Sequence, residues 1–274
     1  MEAATLKKYP RTPHLEGSRL QPGDEDLSQI PFSDIVGKHL VVEEKCDGAN
    51  SAISFDCGGG LLIQSRGHYL NGGYRERHYN LMKQWANVHQ DAFFDVLGSR
   101  YILYGEWMYA KHSVYYDRLP HYFLEFDIFD RETGIFLDTH RRHAMLEALP
   151  VISVPVLAEG AFQSKEQLIS LLGDSCYISD AHIENLRAAS EKLGLDPDRQ
   201  CRETDGTKLM EGLYIKVEEN GQVVDRLKYV RASFTQTVEV SKTHWQARPI
   251  VPKVWRFLWM RCSPASCHEY ACFL

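Results

Sequence analysis

The run GLYIKVEENGQVVDRLKYVR, residues 212–231, sets Asn220-Gly221 between two β-rich stretches. Asn-Gly supplies the two positive-φ residues of a tight type I′ turn, so the segment predicts a hairpin and commits the chain to an antiparallel sheet. The same vocabulary recurs upstream. HLVVEEK reads as a strand, CDGAN as a turn, SAISFD as a strand, Gly58–Gly60 as a turn and LLIQSR as a strand. RYILYGEWMYA and HYFLEFDIFDRETGIFL add more strands, the second with a turn at Arg131–Gly134. Residues 74–97 carry Tyr79, Met82, Trp85, Val88, Phe93 and Phe94 at irregular helical spacing, which predicts one or two helices. Helices are also expected over 139–149 and 164–195, the latter capped by Ser164 with Gln167 three residues on. DEDLSQIPFSDI reads as a cap or short helix. With no repeat, low-complexity stretch or linker, one α+β domain is the simplest assignment.

Hydrophobic residues make up 44% and charged residues 25% of the chain, which fits a soluble globular protein. Its apolar runs fall short of the roughly 18–20 residues of a membrane span. The opening MEAATLKKYPRTPH lacks the layout of a secretory signal, so a cytoplasmic location is expected. A net charge of −6 excludes binding of nucleic acid by bulk charge, but not by a local basic groove. The seven cysteines are odd in number and scattered, which argues against a disulfide framework. CSPASCHEYAC, with His268, lacks a close CxxC pair, and free thiols fit it better than zinc.

The chemistry centres on Glu44-Lys45-Cys46-Asp47-Gly48. A lysine closing a β-rich run before a glycine turn can aim its amine into a cleft. Such an amine attacks phosphorus only when neutral, so its pKa must fall from about 10.4. Arg66 follows one hairpin later, Glu106 lies within YGEW, and Glu211 opens the strand GLYIK. Arg226 and Lys228, two apart on a strand, share a face and can point together at a phosphate. One lysine, two carboxylates for a divalent metal and several cations form a kit for nucleotidyl transfer. Each residue alone reads as a solvated charge; the ensemble carries the inference.

The series KCDGAN, SRG, YGEW, FLEFDIF, EGLYIK and RLKYVR, across residues 44–231, resembles the ATP-dependent RNA ligases typified by phage RNA ligase 2. These belong to the covalent nucleotidyltransferase superfamily. The resemblance implies an α+β adenylyltransferase fold, an ATP-grasp-like ligase catalytic domain with antiparallel sheets flanking a nucleotide cleft. It assigns residues 1–235 to the nucleotidyltransferase and 236–274 to a C-terminal extension without an OB-fold domain. Lys45 would carry AMP, Glu44 would receive adenine, and Phe126 would stack on it. Arg66, Glu106, Lys216, Arg226 and Lys228 would contact ribose or phosphates. Glu106 and Glu211 would hold Mg2+ or Mn2+, and Asp47 and Asn50 would serve the polynucleotide steps. The implied cosubstrate is ATP, and the implied partner is RNA with 5′-phosphate and 3′-hydroxyl ends, with no membrane. The family's closing pair is usually Lys-x-Lys, so Arg226 departs from it. A DNA ligase, a GTP-using capping-type enzyme and a non-catalytic binder of RNA ends are the alternatives.

Blander readings apply elsewhere. Phe123, Phe126 and Phe129 recur in a β-rich run, as core residues do, and Asp130 sits where a turn begins. The basic runs Arg75–His78 and His140–His143 read as solvated faces that could line an RNA groove.

Overall fold

The computed structural model describes residues 5–20, 23–24, 26–235 and 248–255. The strands are β1 (His14–Leu15), β2 (Gln29–Ile30), β3 (His39–Lys45), β4 (Ala49–Phe55), β5 (Leu61–Ser65), β6 (Tyr101–Trp107) and β7 (Phe123–Asp130). They continue with β8 (Ile135–Leu137), β9 (Ile152–Ser153), β10 (Val156–Ala161), β11 (Gly212–Glu219) and β12 (Gln222–Val230). The helices are α1 (Asn80–Val88), α2 (Gln90–Leu97), α3 (Thr139–Leu146), α4 (Lys165–Ile169), α5 (His182–Lys192) and α6 (Pro197–Arg202). Among the described residues, no helix is long and apolar enough to cross a membrane.

The main path of the sheet is β10-β3-β11-β12-β8-β7-β6-β4-β5, with every pairing along it antiparallel. This is the antiparallel α+β architecture about a cleft that the resemblance implies. The Asn220-Gly221 turn joins β11 to β12 with φ values of 51° and 80°, as its residues demand. Two half-sheets meet where β12 pairs with β8 through Gln222↔Leu137 and Val223↔Phe136. Strands β3 and β4 are separated by three residues in the chain yet lie in different halves. The turn at 46–48 therefore crosses from one half to the other.

Alternation sends Leu40 and Val42 of β3 into a core with Leu213, Ile215, Val217 and Leu227. In the other half, Ile53, Phe55, Leu103 and Trp107 pack on Met82, Ala86, Phe93 and Leu97 of α1 and α2. The opposite faces turn toward a shared cleft. Beneath it runs a seam of buried charge. Arg142 of α3 donates to Glu43 of β3 and Glu125 of β7, each at 2.7 Å. Lys216 of β11 pairs with Glu43 at 2.9 Å and with Asp127 of β7 at 3.4 Å, while Arg226 of β12 meets Asp127 at 3.5 Å.

Two expectations about elements are corrected. Residues 164–195 form two helices, because the segment between α4 and α5 has tertiary partners that override local propensity. Ser175 N–H donates to Lys208 O at 2.8 Å, and Ser179 binds the Asp117 carboxylate through both its amide and its hydroxyl. Ser164 still caps α4, accepting from Gln167 N–H at 3.3 Å. The stretch DEDLSQIPFSDI gives β2 and a single 3-10 turn at Phe32–Asp34, since Pro31 withholds a helical N–H.

Truncating Arg142 strands two buried carboxylates. Arg142→Met is expected to lower stability by about 3–5 kcal/mol, as breaking a buried ion pair does, measured by urea unfolding at neutral pH.

Candidate active site

The cleft between the half-sheets encloses about 650 Å³. Lys45 ends β3, and pairing of β3 with β11 sets it opposite Gly212, next to Glu211. Its amine donates to Glu211 Oε1 at 2.7 Å. Glu106, from β6 in the other half, accepts Gly48 N–H at 3.1 Å. A Cβ on Gly48 would lie 2.8 Å from Glu106 Cγ, Met108 Sδ and the Trp107 carbonyl, so only glycine allows the turn to approach β6 this closely. The turn thereby places the lysine and both carboxylates around one point.

Electrostatics follow from that crowding. Burial pushes the Lys45 pKa down, but Glu211, Glu106 and Asp47 outweigh it, and the net shift is upward from 10.5. Burial pushes the Glu106 carboxyl up to about 7; the Lys45 charge opposes the rise, and Glu211 and Asp47 add to it. Glu44 is 2% exposed, its Oε1 has no hydrogen-bond partner, and burial raises it to about 7 against a hydrogen bond from Ser175.

Lys228 reaches the cleft from β12, and its amine is held by Asp24. Arg66 and Asn50 line the opposite wall, with Arg66 exposed and Asn50 paired through the backbone with Glu106. Phe126 lines the cleft with Tyr9 and Tyr214, and the Tyr9 ring meets it edge-on at 5.1 Å. Of the residues expected in the site, Lys45, Glu44, Asp47, Asn50, Arg66, Glu106, Phe126, Glu211 and Lys228 come together around the cleft. Lys216 and Arg226 do not line it. Lys216 is fully buried in the ionic seam, and Arg226 sits 4.2 Å from the Phe136 ring centre as well as beside Asp127. Alternation put them on the cleft-side face, but their side chains are spent below its floor.

Asp47, expected to handle polynucleotide, turns its carboxylate into the loop at 112–114, accepting from Ser113 N–H at 2.6 Å and Val114 N–H at 2.7 Å. Its own N–H donates to the Tyr116 hydroxyl at 3.0 Å. Sequence reading missed Tyr9, Thr12, Asp24, Tyr79 and Tyr214 in the cleft region. An aspartate in a polar proline-bearing segment gives no sign that it ends beside Lys228. The tail cysteines Cys262, Cys267 and Cys272, with His268, lie outside the described residues; Cys46, Cys57, Cys176 and Cys201 are free thiols.

The two carboxylates suit a divalent cation that keeps several waters and borrows phosphate oxygens, as Mg2+ sites do. Glu44 also makes stability depend on pH. Below the ordinary value of 4.5 the carboxyl is protonated whether folded or not. From there to about 7 only the folded chain keeps the proton, so stability falls as pH rises through that window. Glu44→Gln is therefore expected to stabilise the ligand-free protein by about 1–3 kcal/mol at pH 8 and negligibly at pH 4, read from urea unfolding at both values.

The RNA ligase family model matches residues 38–230, more than half of the chain. The fold is similar to that of a Naegleria gruberi RNA ligase variant solved with ATP and Mn, at TM-score 0.51 and 15% identity, over 84% of this chain and 57% of that one. A second variant of that ligase, solved apo, matches at TM-score 0.50 and 14% identity, over 86% and 57%. An archaeal ATP-dependent RNA ligase matches at TM-score 0.45 and 15% identity, over 82% and 48%. The chain thus spans little more than half the length of the Naegleria ligase chains and about half of the archaeal one. No curated protein matches. At these identities the solved structures speak to the fold alone, and the match that runs from before β3 to the end of β12 speaks to kinship: the chain belongs to the RNA ligase family.

Proposed function

We propose that this chain is an ATP-dependent RNA ligase that carries AMP on Lys45. The observation that carries the reading is the Lys45 amine held between Glu211 and the Glu106-bonded turn, in a cleft also lined by Lys228 and Arg66. The Naegleria structure with ATP and Mn adds support for the cosubstrate and for a divalent metal.

In the first step the Lys45 nitrogen bonds to the α-phosphorus of ATP while the bond from that phosphorus to the pyrophosphate oxygen breaks. The lysine must shed a proton first, and its carboxylate surroundings hold that proton on. A divalent cation at Glu106 and Glu211 would offset the negative charge that keeps the amine protonated and would shield the phosphate oxygens. Lys228 exchanges Asp24 for a phosphate oxygen, and Arg66 meets ribose or phosphate at the rim. Phe126 with Tyr9 and Tyr214 offers an aromatic wall for adenine. Glu44, buried and with an unpartnered oxygen, suits the exocyclic amine of that base. AMP then passes to an RNA 5′-phosphate, and a 3′-hydroxyl displaces it to seal the strand, with Asn50 at the rim to serve these later steps.

Incubation with α-³²P ATP and magnesium or manganese is expected to give a covalent AMP adduct, mapped to Lys45 by intact mass and peptide analysis. GTP should not label. Lys45→Ala should take no label while keeping its circular dichroism spectrum; undiminished labelling of that variant removes the assignment. Because the amine is held charged, the rate of labelling should climb with pH from 6 to 9, by up to about tenfold per unit. A flat profile would contradict the protonated resting lysine.

A further inference from the structure

Residues 248–255 lie beyond the family match, yet Lys253 among them reaches Asp47, which lines the cleft. Their backbone laces onto the loop at 108–120. Lys111 N–H donates to Val251 O at 2.9 Å, Lys253 N–H to Tyr109 O at 2.8 Å, and Val254 N–H to Tyr116 O at 3.0 Å. The Tyr122 hydroxyl donates to Lys253 O at 2.8 Å. Held by these bonds, Lys253 is 1% exposed, and its ammonium donates to the carbonyl of Asp47. The same ammonium lies 4.7 Å from the ring centre of Tyr116, whose hydroxyl accepts Asp47 N–H.

We propose that Lys253 is a positioning residue for the nucleophile: it fixes the Cys46–Asp47–Gly48 turn and, through it, the direction in which Lys45 presents its amine. This rests on Lys45 being the nucleophile. Asp47, at the centre of the turn, has three clamps: loop amides on its carboxylate, Tyr116 on its N–H, and Lys253 on its carbonyl. Rotation of that short turn shifts Lys45 against Glu106, which is bonded to Gly48 N–H.

An ammonium is a costly choice for packing alone. Burial strips its water, and the pKa falls to about 8 although Asp47, Glu106 and Glu211 oppose the drop. A methionine of similar length would fill the space, but it could not donate to the Asp47 carbonyl. The neighbouring Lys111 directs its amine elsewhere, to the carbonyls of His112 at 3.3 Å and Glu203 at 3.1 Å.

The test compares the wild type, Lys253→Met and Val251→Ala, the last trimming a buried side chain packed near Tyr115 and Leu186. Two reactions are timed: labelling by α-³²P ATP across ATP concentrations, and joining of a chemically pre-adenylylated RNA, which needs no lysine nucleophile. Lys253→Met is expected to label at least tenfold more slowly at saturating ATP, with the half-saturating ATP concentration and the joining rate each within threefold of wild type. Val251→Ala should label within threefold of wild type. The proposal is overturned if Lys253→Met labels normally, if it loses labelling and joining alike, or if Val251→Ala loses labelling as severely. A wild-type chain that takes no label would instead remove the ligase reading on which the proposal stands.

Discussion

Arg142 lies fully buried between Glu43 and Glu125, and Lys216, Asp127 and Arg226 extend the same network through the floor of the cleft. Glu43, Lys216 and Arg226 come from one half-sheet, and Glu125 and Asp127 come from the other. Among the described residues, β12 and β8 are paired at two positions, a short ladder, so these charges weigh heavily in how the halves sit. Buried ion pairs roughly break even against their desolvation. What they contribute here is choice of partner, because a slipped arrangement would bury carboxylates without cations. The distance from Lys45 to Glu106, residues of opposite halves, depends on that choice.

Above the seam, two lysines of the cleft are paired within it. Lys45 has Glu211 and Lys228 has Asp24. A chain of net charge −6 thus sets both amines in its cleft with a carboxylate against each.

Legibility in the sequence followed the range of the interactions. The hairpin at Asn220-Gly221, the Ser164 cap and the KCDG turn are local, and each formed where residue chemistry placed it. Period two put Arg226 on one face with Lys228 but did not give its depth, since burial depends on what the facing half-sheet supplies. Asp24 and Lys253 could not be read at all. Their partners lie across the fold, and neither residue belongs to a pattern. The boundary drawn after residue 235 set aside a segment whose described part touches the turn beside Lys45.

The split between β3 and β4 also decides when the surroundings of Lys45 can assemble. Lys45 is made early in synthesis, but its strand pairs with β11, close to the end of the family match. Long-range pairing of this kind closes late, after its loop entropy has been overcome. Until Glu211 is in place beside it, Lys45 is an ordinary solvated amine on an unpaired strand. The pairing of this amine with Glu211, 166 positions away in the chain, therefore arrives only together with the native topology.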